Sequence, residues 1–414
     1  MPRARLPVRC TMVSQFRVQG FRSLRDVTLD LKPLNVLVGR NDSGKTNVLD
    51  ALEAWSRLAT AGARAVWPDS ERSTADLWGG GPEGNISFSV VAGEARHDGS
   101  FVLRRGWSPR RASEMVTGRW GSATWTGSNR VDWKRSDGDA FQTNSTEPSD
   151  NPLLVHIANP DPSSRRDDLP FGELLPGASG WAKYALRPDR LRARGVPTAH
   201  GPEIEPDGQG LAAALDHLYR EDRARFARIE KALVEFAPGI RQIIPREDVG
   251  PETGGSAVVW KKLAFALADP PCTIEAEHVS EGVLLVLAWL TIANLPHTGA
   301  VVLIDEPENG VHPQALRMVM GLLRKLSRGE IEGVPARQVV ITTHSPFVVD
   351  CLKLDDTDEL FVLERGRDGA TTAIPVSHKP WIHKLVPPYL LGEAWVNFGE
   401  QGLTADTRPA EPVS

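Results

Sequence analysis

The sequence predicts an α/β protein: a mixed, largely parallel sheet with crossover helices, joined by an antiparallel β segment and an inserted helical lobe. Three observations point to it. A short apolar run ends in a glycine turn that opens a helical pattern, "VLVGRNDSGKTNVLDAL" (36–52). Two further apolar runs, "AVVLIDE" (300–306) and "RQVVITTH" (337–344), end in polar residues and alternate with helical patterns, as parallel strands do. From about 85 to 135, "ISFSVV", "SFVLRRG" and "SATWTG" read as short strands separated by turn residues, an antiparallel arm.

Taken in order, residues 1–14 are expected to form an N-terminal extension, with Met12 an alternative start. The stretch "MPRARLPVRCTMVSQF" has no apolar core of the kind a secretory signal needs. "FRVQGF", "DVTLDL" and "LNVLVG" read as strands. Val48, Leu49, Leu52, Trp55 and Leu58 then fall at helical spacing. Pro68 and "GGGPEG" (79–84) close this unit. The polar stretches 134–152 and 160–172 read as loops around a strand, "LLVHIA" (153–158). The lobe, about 160–295, has helices at "QGLAAALDHLY" and "DRARFARIEKALVEF", strands at "IRQIIPRE" and "SAVVWKKLAFAL", and an apolar helix at "EGVLLVLAWLTIANL". The half at 296–395 alternates strand and helix. Residues 15–395 are expected to be one unit and 396–414 a flexible tail.

Composition narrows the class. With 414 residues, 41% hydrophobic and 24% charged, the chain has the makeup of a globular protein with a large core. Its net charge of −5 excludes a bulk polycation, so contact with nucleic acid would need a local basic patch. Two runs offer one, "LRRGWSPRR" (103–111) and "LRPDRLRARG" (186–195), although a solvated charged face is the plainer reading of both. Trp107, Trp120, Trp125 and Trp133 would more simply pack a small sheet than stack on bases. Cys10, Cys272 and Cys351 are scattered singly, which fits reduced thiols in the cytoplasm rather than a disulfide or zinc site. No apolar run reaches the roughly 18 residues of a membrane span.

The chemistry sits in four places. Gly39-Arg40-Asn41-Asp42-Ser43-Gly44-Lys45-Thr46 has the spacing G-x-x-x-x-G-K-[ST] between a strand and a helix, and these residues with Asn47 are the candidates for nucleotide binding. Glycines let backbone N–H groups wrap phosphate oxygens, and the helix N-terminus adds a favourable dipole. Lys45 would reach the β and γ phosphates of ATP, and the Thr46 hydroxyl would ligate Mg²⁺. In "AVVLIDEPENGVHP" (300–313), two acids end a buried strand, a costly place without a task. Asp305 fits a water-mediated Mg²⁺ contact, and Glu306 a base or polariser for attacking water. His344 ends the next strand and fits a γ-phosphate sensor. Ser280-Glu281-Gly282 opens the apolar helix. Ser280 reads as an N-cap or, with Gly282, as a contact to nucleotide on a second subunit.

The order of phosphate turn, Ser-Glu-Gly helix, acidic strand and strand–histidine resembles the ABC class of P-loop ATPases, in the branch of RecF, SMC-type heads and OLD proteins. "FRVQGFRSLRDVTLDLKPLNVLVGRNDSGKTNVLDAL" looks like the start of those proteins. "IDEPENGVHPQAL" and "TTHSPFVVD" look like the OLD-like ATPases labelled AAA. The resemblance covers about 15–60 and 200–395. It implies ATP and Mg²⁺ as cofactors, Lys45, Thr46 and Asp305 as their ligands, Glu306 as catalytic carboxylate and His344 as switch. It also implies Ser280 and Gly282 as a trans-acting signature, here the degenerate "SEGV", and 308–312 as a dimer-interface loop. The class carries a loop glutamine that senses Mg²⁺, and Gln142 in "DAFQTN" is the candidate.

Only about 50 residues follow "ERGRDG", too few for the metal-dependent nuclease domain of OLD proteins, and no coiled-coil heptads are present. "LLGEAWVNFG" resembles the end of stand-alone ATPases of phage-defence pairs. The expectation is therefore a cytoplasmic ATPase that forms a homodimer on ATP and acts on double-stranded DNA or on a separately encoded effector such as a nuclease. A RecF-like repair clamp is the alternative, and a transporter ATP-binding subunit a more distant one.

Overall fold

The computed structural model describes residues 12–62, 66, 84–104, 107–119, 121–125, 130–144, 153, 180–195, 203–249, 259–295, 299–379, 390–404 and 406. Its centre is a six-stranded sheet. β3 (Leu34–Val38) lies beside two parallel strands, and the full order is β10 (Trp181–Tyr184), β14 (Val301–Asp305), β15 (Gln338–Thr343), β3, β16 (Leu360–Arg365), β17 (Thr371–Pro375). All neighbours pair in parallel except β16 and β17. Adjacent residues on these strands belong to different cores, because side chains alternate faces along a strand. Leu37, Val301, Leu303, Val340 and Phe361 join one core, and Val36, Val302, Ile304, Ile341 and Val362 the other.

The first core lies between this sheet and an antiparallel sheet of eight strands. The latter runs in the order β2 (Leu24–Asp30), β1 (Val13–Phe21), β4 (Gly84–Ala92), β5 (Ala95–Arg104), β6 (Trp107–Gly118), β7 (Gly121–Trp125), β8 (Arg130–Arg135), β9 (Ala140–Asn144). Helix α1 (Lys45–Ala61) fills the space between the sheets and buries Val48, Leu49, Leu52, Trp55 and Leu58, the residues its spacing predicts. Gln338, buried at the start of β15, exchanges side-chain hydrogen bonds with both Val13 N–H and Val13 C=O, tying the two sheets together.

The second core is covered by the lobe and by the crossover helices. The lobe comprises α2 (Pro188–Leu191), α3 (Leu211–Glu221), α4 (Arg223–Phe236) and a small antiparallel sheet of β11 (Ile240–Val249), β12 (Val259–Leu267) and β13 (Thr273–Glu275). Helix α5 (Glu281–Asn294) is apolar all round and is buried from Leu284 to Asn294, as a helix without a polar face must be. α6 (Pro313–Arg328) starts behind His312, whose Nδ1 accepts from Gln314 N–H, and ends at Gly329 in the left-handed conformation. α7 (Pro346–Val349), α8 (Leu391–Phe398) and α9 (Gln401–Thr404) follow among the described residues.

Several expectations need correction. β1 already includes Val13 and Ser14, so the extension is shorter than 1–14. Residues 140–144 form β9 instead of a loop, because they pair in register with β8. The tail is helical over 396–398 and 401–404, and Leu403 is fully buried in the second core. β10, β16 and β17 had no counterpart in the sequence reading. The expected strand at 153–158 falls outside the described residues except for Leu153, which is helical and buried. Pro68, the run 79–84 and the loop 160–172 also lie outside them, apart from Gly84, the first residue of β4.

A buried polar chain links α1 to the arm. Trp55 Nε1 donates to His97 Nδ1 at 3.0 Å, His97 Nε2 meets Glu114 Oε1 at 2.9 Å, and Arg111 donates to Glu114 Oε2 at 2.6 Å. The Arg111 guanidinium stacks on Trp125, and Trp133 packs against the first core, so these two tryptophans are structural. Burial pushes the Glu114 carboxyl up, but hydrogen bonds from His97 and Arg111 and the charge of Arg111 outweigh it, and the pKa falls below its ordinary 4.5. A carboxylate lowered in the folded state stabilises fully above its unfolded pKa and loses that stabilisation as pH falls through the folded value. Glu114→Gln should therefore destabilise the fold at pH 7 and flatten the acid limb below about pH 4.5, measured by denaturant unfolding at stepped pH.

Candidate functional site

The carboxyl ends of β3, β14 and β15 lie side by side, and the predicted residues follow them. The phosphate turn leaves β3 at Gly39 and enters α1 at Gly44. Gly39 has φ +150°, and a Cβ there would lie 2.3 Å from Leu363 C=O of β16. Gly44 has φ +99°, and its Cβ would lie 2.2 Å from Thr371 Oγ1 of β17. Both positions require glycine, for conformation and for space. Thr371 Oγ1 donates to Ser43 C=O at 2.9 Å and meets Ser23 Oγ at 2.7 Å. Asn47 donates to Ser23 Oγ at 2.8 Å and accepts from Arg22 at 3.2 Å. Asp42 pairs with Arg365. The turn is thus held from outside, while Arg40 and Asn41 are exposed.

Inside the turn, Lys45 is buried and its ammonium donates to Gly39 C=O at 2.8 Å and Arg40 C=O at 2.9 Å. It also lies 3.4 Å from His344 Nδ1. Burial lowers the Lys45 pKa, and the charges of Glu306, Asp305, Glu308 and Glu400 work against that shift. His344 Nε2 is 2.8 Å from Glu306 Oε1. A neutral imidazole protonated at Nε2 satisfies both contacts, accepting from Lys45 and donating to Glu306. Asn309 Nδ2 holds the other Glu306 oxygen at 2.8 Å. Asp305 Oδ1 accepts from Thr342 Oγ1 at 2.6 Å and lies 3.4 Å from Thr46 Oγ1. Lys45, Thr46, Asp305, Glu306 and His344 are therefore one contiguous group.

Its backbone is strained. The non-glycine residues with positive φ among the described residues are Arg22, Asp42 and Glu306. Each borders the phosphate turn or belongs to it, and such conformations cost about 1–3 kcal/mol each. At Glu306, φ is +52°, and the N–H is anchored to Thr342 C=O at 3.1 Å. The turn this imposes aims the carboxylate at His344.

ATP and Mg²⁺ fit these residues. The buried Ser43 Oγ has no hydrogen-bond partner, and Thr46 with Asp305 presents two hard oxygen donors. No group of three or more His, Cys, Asp or Glu suited to a metal occurs among the described residues, so phosphates and water would complete the metal's shell.

Other predicted residues are placed differently. Ser280 precedes α5 in an extended conformation, exposed and without a side-chain hydrogen bond to the helix, so it does not act as a side-chain N-cap. Gly282 faces open space within 4 Å. Arg192 holds this helix end through Val279 C=O at 3.1 Å and Glu281 at 3.6 Å. In the loop 308–312, Glu308 turns inward, accepting from Thr343 Oγ1 and His344 N–H, both at 2.7 Å. Gln142 is not brought to Thr46 and Asp305: it sits on β9, the outer strand of the eight-stranded sheet, bonded to Asp132 at 2.7 Å. Lys183, Asp50, Asn309 and Thr371 reach the site without having been singled out. Asp50 and Lys183 have no motif, and Asn309 lies in the run 308–312, expected as a dimer-interface loop.

The basic runs are not free cation patches where described. Arg187, Arg190, Arg192 and Arg194 each pair with an acid of the same chain. In 103–111, Arg111 is buried against Glu114, and the side chains of 103–110 lie outside the described residues. No helix among the described residues is long and apolar enough to cross a membrane. Because Gly44 has no space for a methyl group, Gly44→Ala should cost about 1–3 kcal/mol of stability and lower ATP affinity by at least tenfold, checked by denaturant unfolding and calorimetric titration.

Solved structures similar to the chain include the Smc head bound to the C-winged-helix domain of ScpA, at 12% identity over 88% of this chain and 97% of that one, with a TM-score of 0.47. The SMC head domain from Thermotoga maritima matches at 11% identity over 88% and 98%, with a TM-score of 0.38. The Smc head with an extended coiled coil, bound to the C-terminal domain of ScpA derived from Pyrococcus furiosus, matches at 12% over 88% and 96%, with a TM-score of 0.40. No curated protein matches. A family model described as "AAA domain, putative AbiEii toxin, Type IV TA system" matches residues 34–350, from β3 past His344 and well over half of the chain. The chain belongs to this AAA-domain family.

Proposed function

We propose that the chain is an ATP-hydrolysing switch whose ATP-bound form is a homodimer. The observation that carries this is the contiguous set of Lys45, His344 and Glu306 at the mouth of a glycine turn, with Glu306 held in a strained conformation between His344 and Asn309. Backbone N–H groups of 39–46 and Lys45 would bind the triphosphate, and Lys45 would trade its carbonyl partners for phosphate oxygens. Thr46 and Asp305 would hold Mg²⁺, which neutralises charge on the β and γ oxygens. Glu306 would accept a hydrogen bond from the attacking water and draw off its proton as water adds to the γ phosphorus and the bond to ADP breaks. His344 would orient Glu306 and register the γ phosphate. Exposed Ser280, with open space at Gly282, supports a contact from one copy to nucleotide on the other.

The family description, naming a putative toxin of a toxin–antitoxin system, supports a role in prokaryotic defence alongside a separately encoded protein. Pairing of the arginines in 187–194 within the chain weighs against a DNA clamp built on that run.

Steady-state ATP turnover with and without duplex DNA tests the reading. Glu306→Gln should lower kcat by about 10²–10⁴-fold while retaining ATP binding and favouring the dimer in sedimentation. A wild type that neither binds nor hydrolyses ATP overturns it. Stimulation by duplex DNA would restore the DNA-acting arm over the protein partner.

A further inference from the structure

A second cation lies at the metal end of the site. Lys183, on β10 next to the strand that ends in Asp305, donates to Asp50 Oδ1 of α1 at 2.5 Å. The same ammonium is 3.7 Å from Asp305 Oδ2, and the side chains of Lys183, Asp50 and Asp305 are only 18–21% exposed. Asp305 Oδ1 is engaged by Thr342 and faces Thr46, so Oδ2 is the oxygen left for a cation, and Lys183 addresses it. Asp50 is shared with Arg22, and Glu53 stands nearby on α1, its carboxyl raised by burial and lowered by the charges of Lys183 and Arg57. Two carboxylates thus share one lysine at the place where the metal would enter.

We propose that Lys183 is the resting counter-ion of Asp305, which Mg²⁺ arriving with ATP displaces toward Asp50, so that Lys183 sets how strongly ATP binding depends on Mg²⁺. The proposal rests on the ATPase reading above. An ammonium is a compact, mobile charge on a flexible stem, suited to changing partners. A divalent cation near Asp305 repels it, and Asp50, already its closer partner, receives it. Lys183 is accordingly a positioning residue: it acts through Asp305.

The test compares ATP binding by calorimetry in Mg²⁺ and in EDTA, in a Glu306→Gln background that suppresses hydrolysis. Without the lysine, Asp305 and Asp50 oppose the phosphates unless Mg²⁺ is present. Lys183→Met should therefore raise the ratio of affinity in Mg²⁺ to affinity in EDTA by about tenfold, and Lys183→Arg, which keeps the charge, should stay near the unsubstituted ratio. Thermal unfolding gives a second readout: Lys183→Met should lose stability in EDTA and regain more of it with Mg²⁺ and ATP than the parent does. An unchanged ratio with an equal stability loss in both conditions overturns the proposal and makes Lys183 a plain strut between β10 and α1. If the parent binds no ATP in either condition, the ATPase reading itself fails, and the counter-ion role with it.

Discussion

The passage of the phosphate turn against β16 and β17, with no room for a Cβ at either glycine, is the constraint on which the rest depends. Gly39 runs beneath a carbonyl of β16 and Gly44 beneath a hydroxyl of β17. That contact fixes where α1 begins. α1 in turn places its apolar residues in the core between the two sheets. The same Thr371 hydroxyl that closes on Gly44 bonds Ser43 and Ser23, so the β1–β2 turn, the phosphate turn and β17 share one junction. A residue larger than glycine at either point would move the helix N-terminus, and with it the ammonium of Lys45 and the hydroxyl of Thr46.

Strand ends supply the opposing side. Thr342 at the end of β15 donates to Asp305 and accepts the backbone N–H of Glu306, so one threonine orients both acids. Glu308, two residues further along, accepts from Thr343 and from the His344 backbone. The acidic strand and the histidine strand are therefore cross-braced beyond their parallel ladder. This bracing holds Glu306 left-handed, since a strained residue persists only where its surroundings over-determine it.

The parts legible in sequence were those with strong local signals. The glycine spacing located the phosphate turn, helical periodicity gave α1 and α5, and apolar runs ending in acids or histidine gave β14 and β15. What was missed lacks such signals. β10 is four residues long, "WAKY", and becomes a strand only by pairing with β14. β17 is half-exposed and short, and its role in closing the turn rests on one threonine. Gln142 shows the converse error: polar, punctuated residues suggested a loop, yet hairpin pairing with β8 makes them an edge strand. Lys183 and Asp50 carry no motif because their contact joins residues 133 positions apart.

The charged groups Lys45, Glu306 and Asp305 already have partners. Lys45 spends its donors on the turn's own carbonyls and His344, Glu306 is shared between His344 and Asn309, and Asp305 is bonded to Thr342. Ligand binding here is therefore an exchange of contacts, in which new hydrogen bonds replace existing ones and the net gain is smaller than their number suggests. On the function proposed above, this exchange is what would let binding be reversed. A site built from unpaired charges would bind more tightly and release less readily. The residues that decide the balance are accordingly the ones that hold functional groups in waiting: Asn309, Thr342, Glu308 and the carbonyls of Gly39 and Arg40.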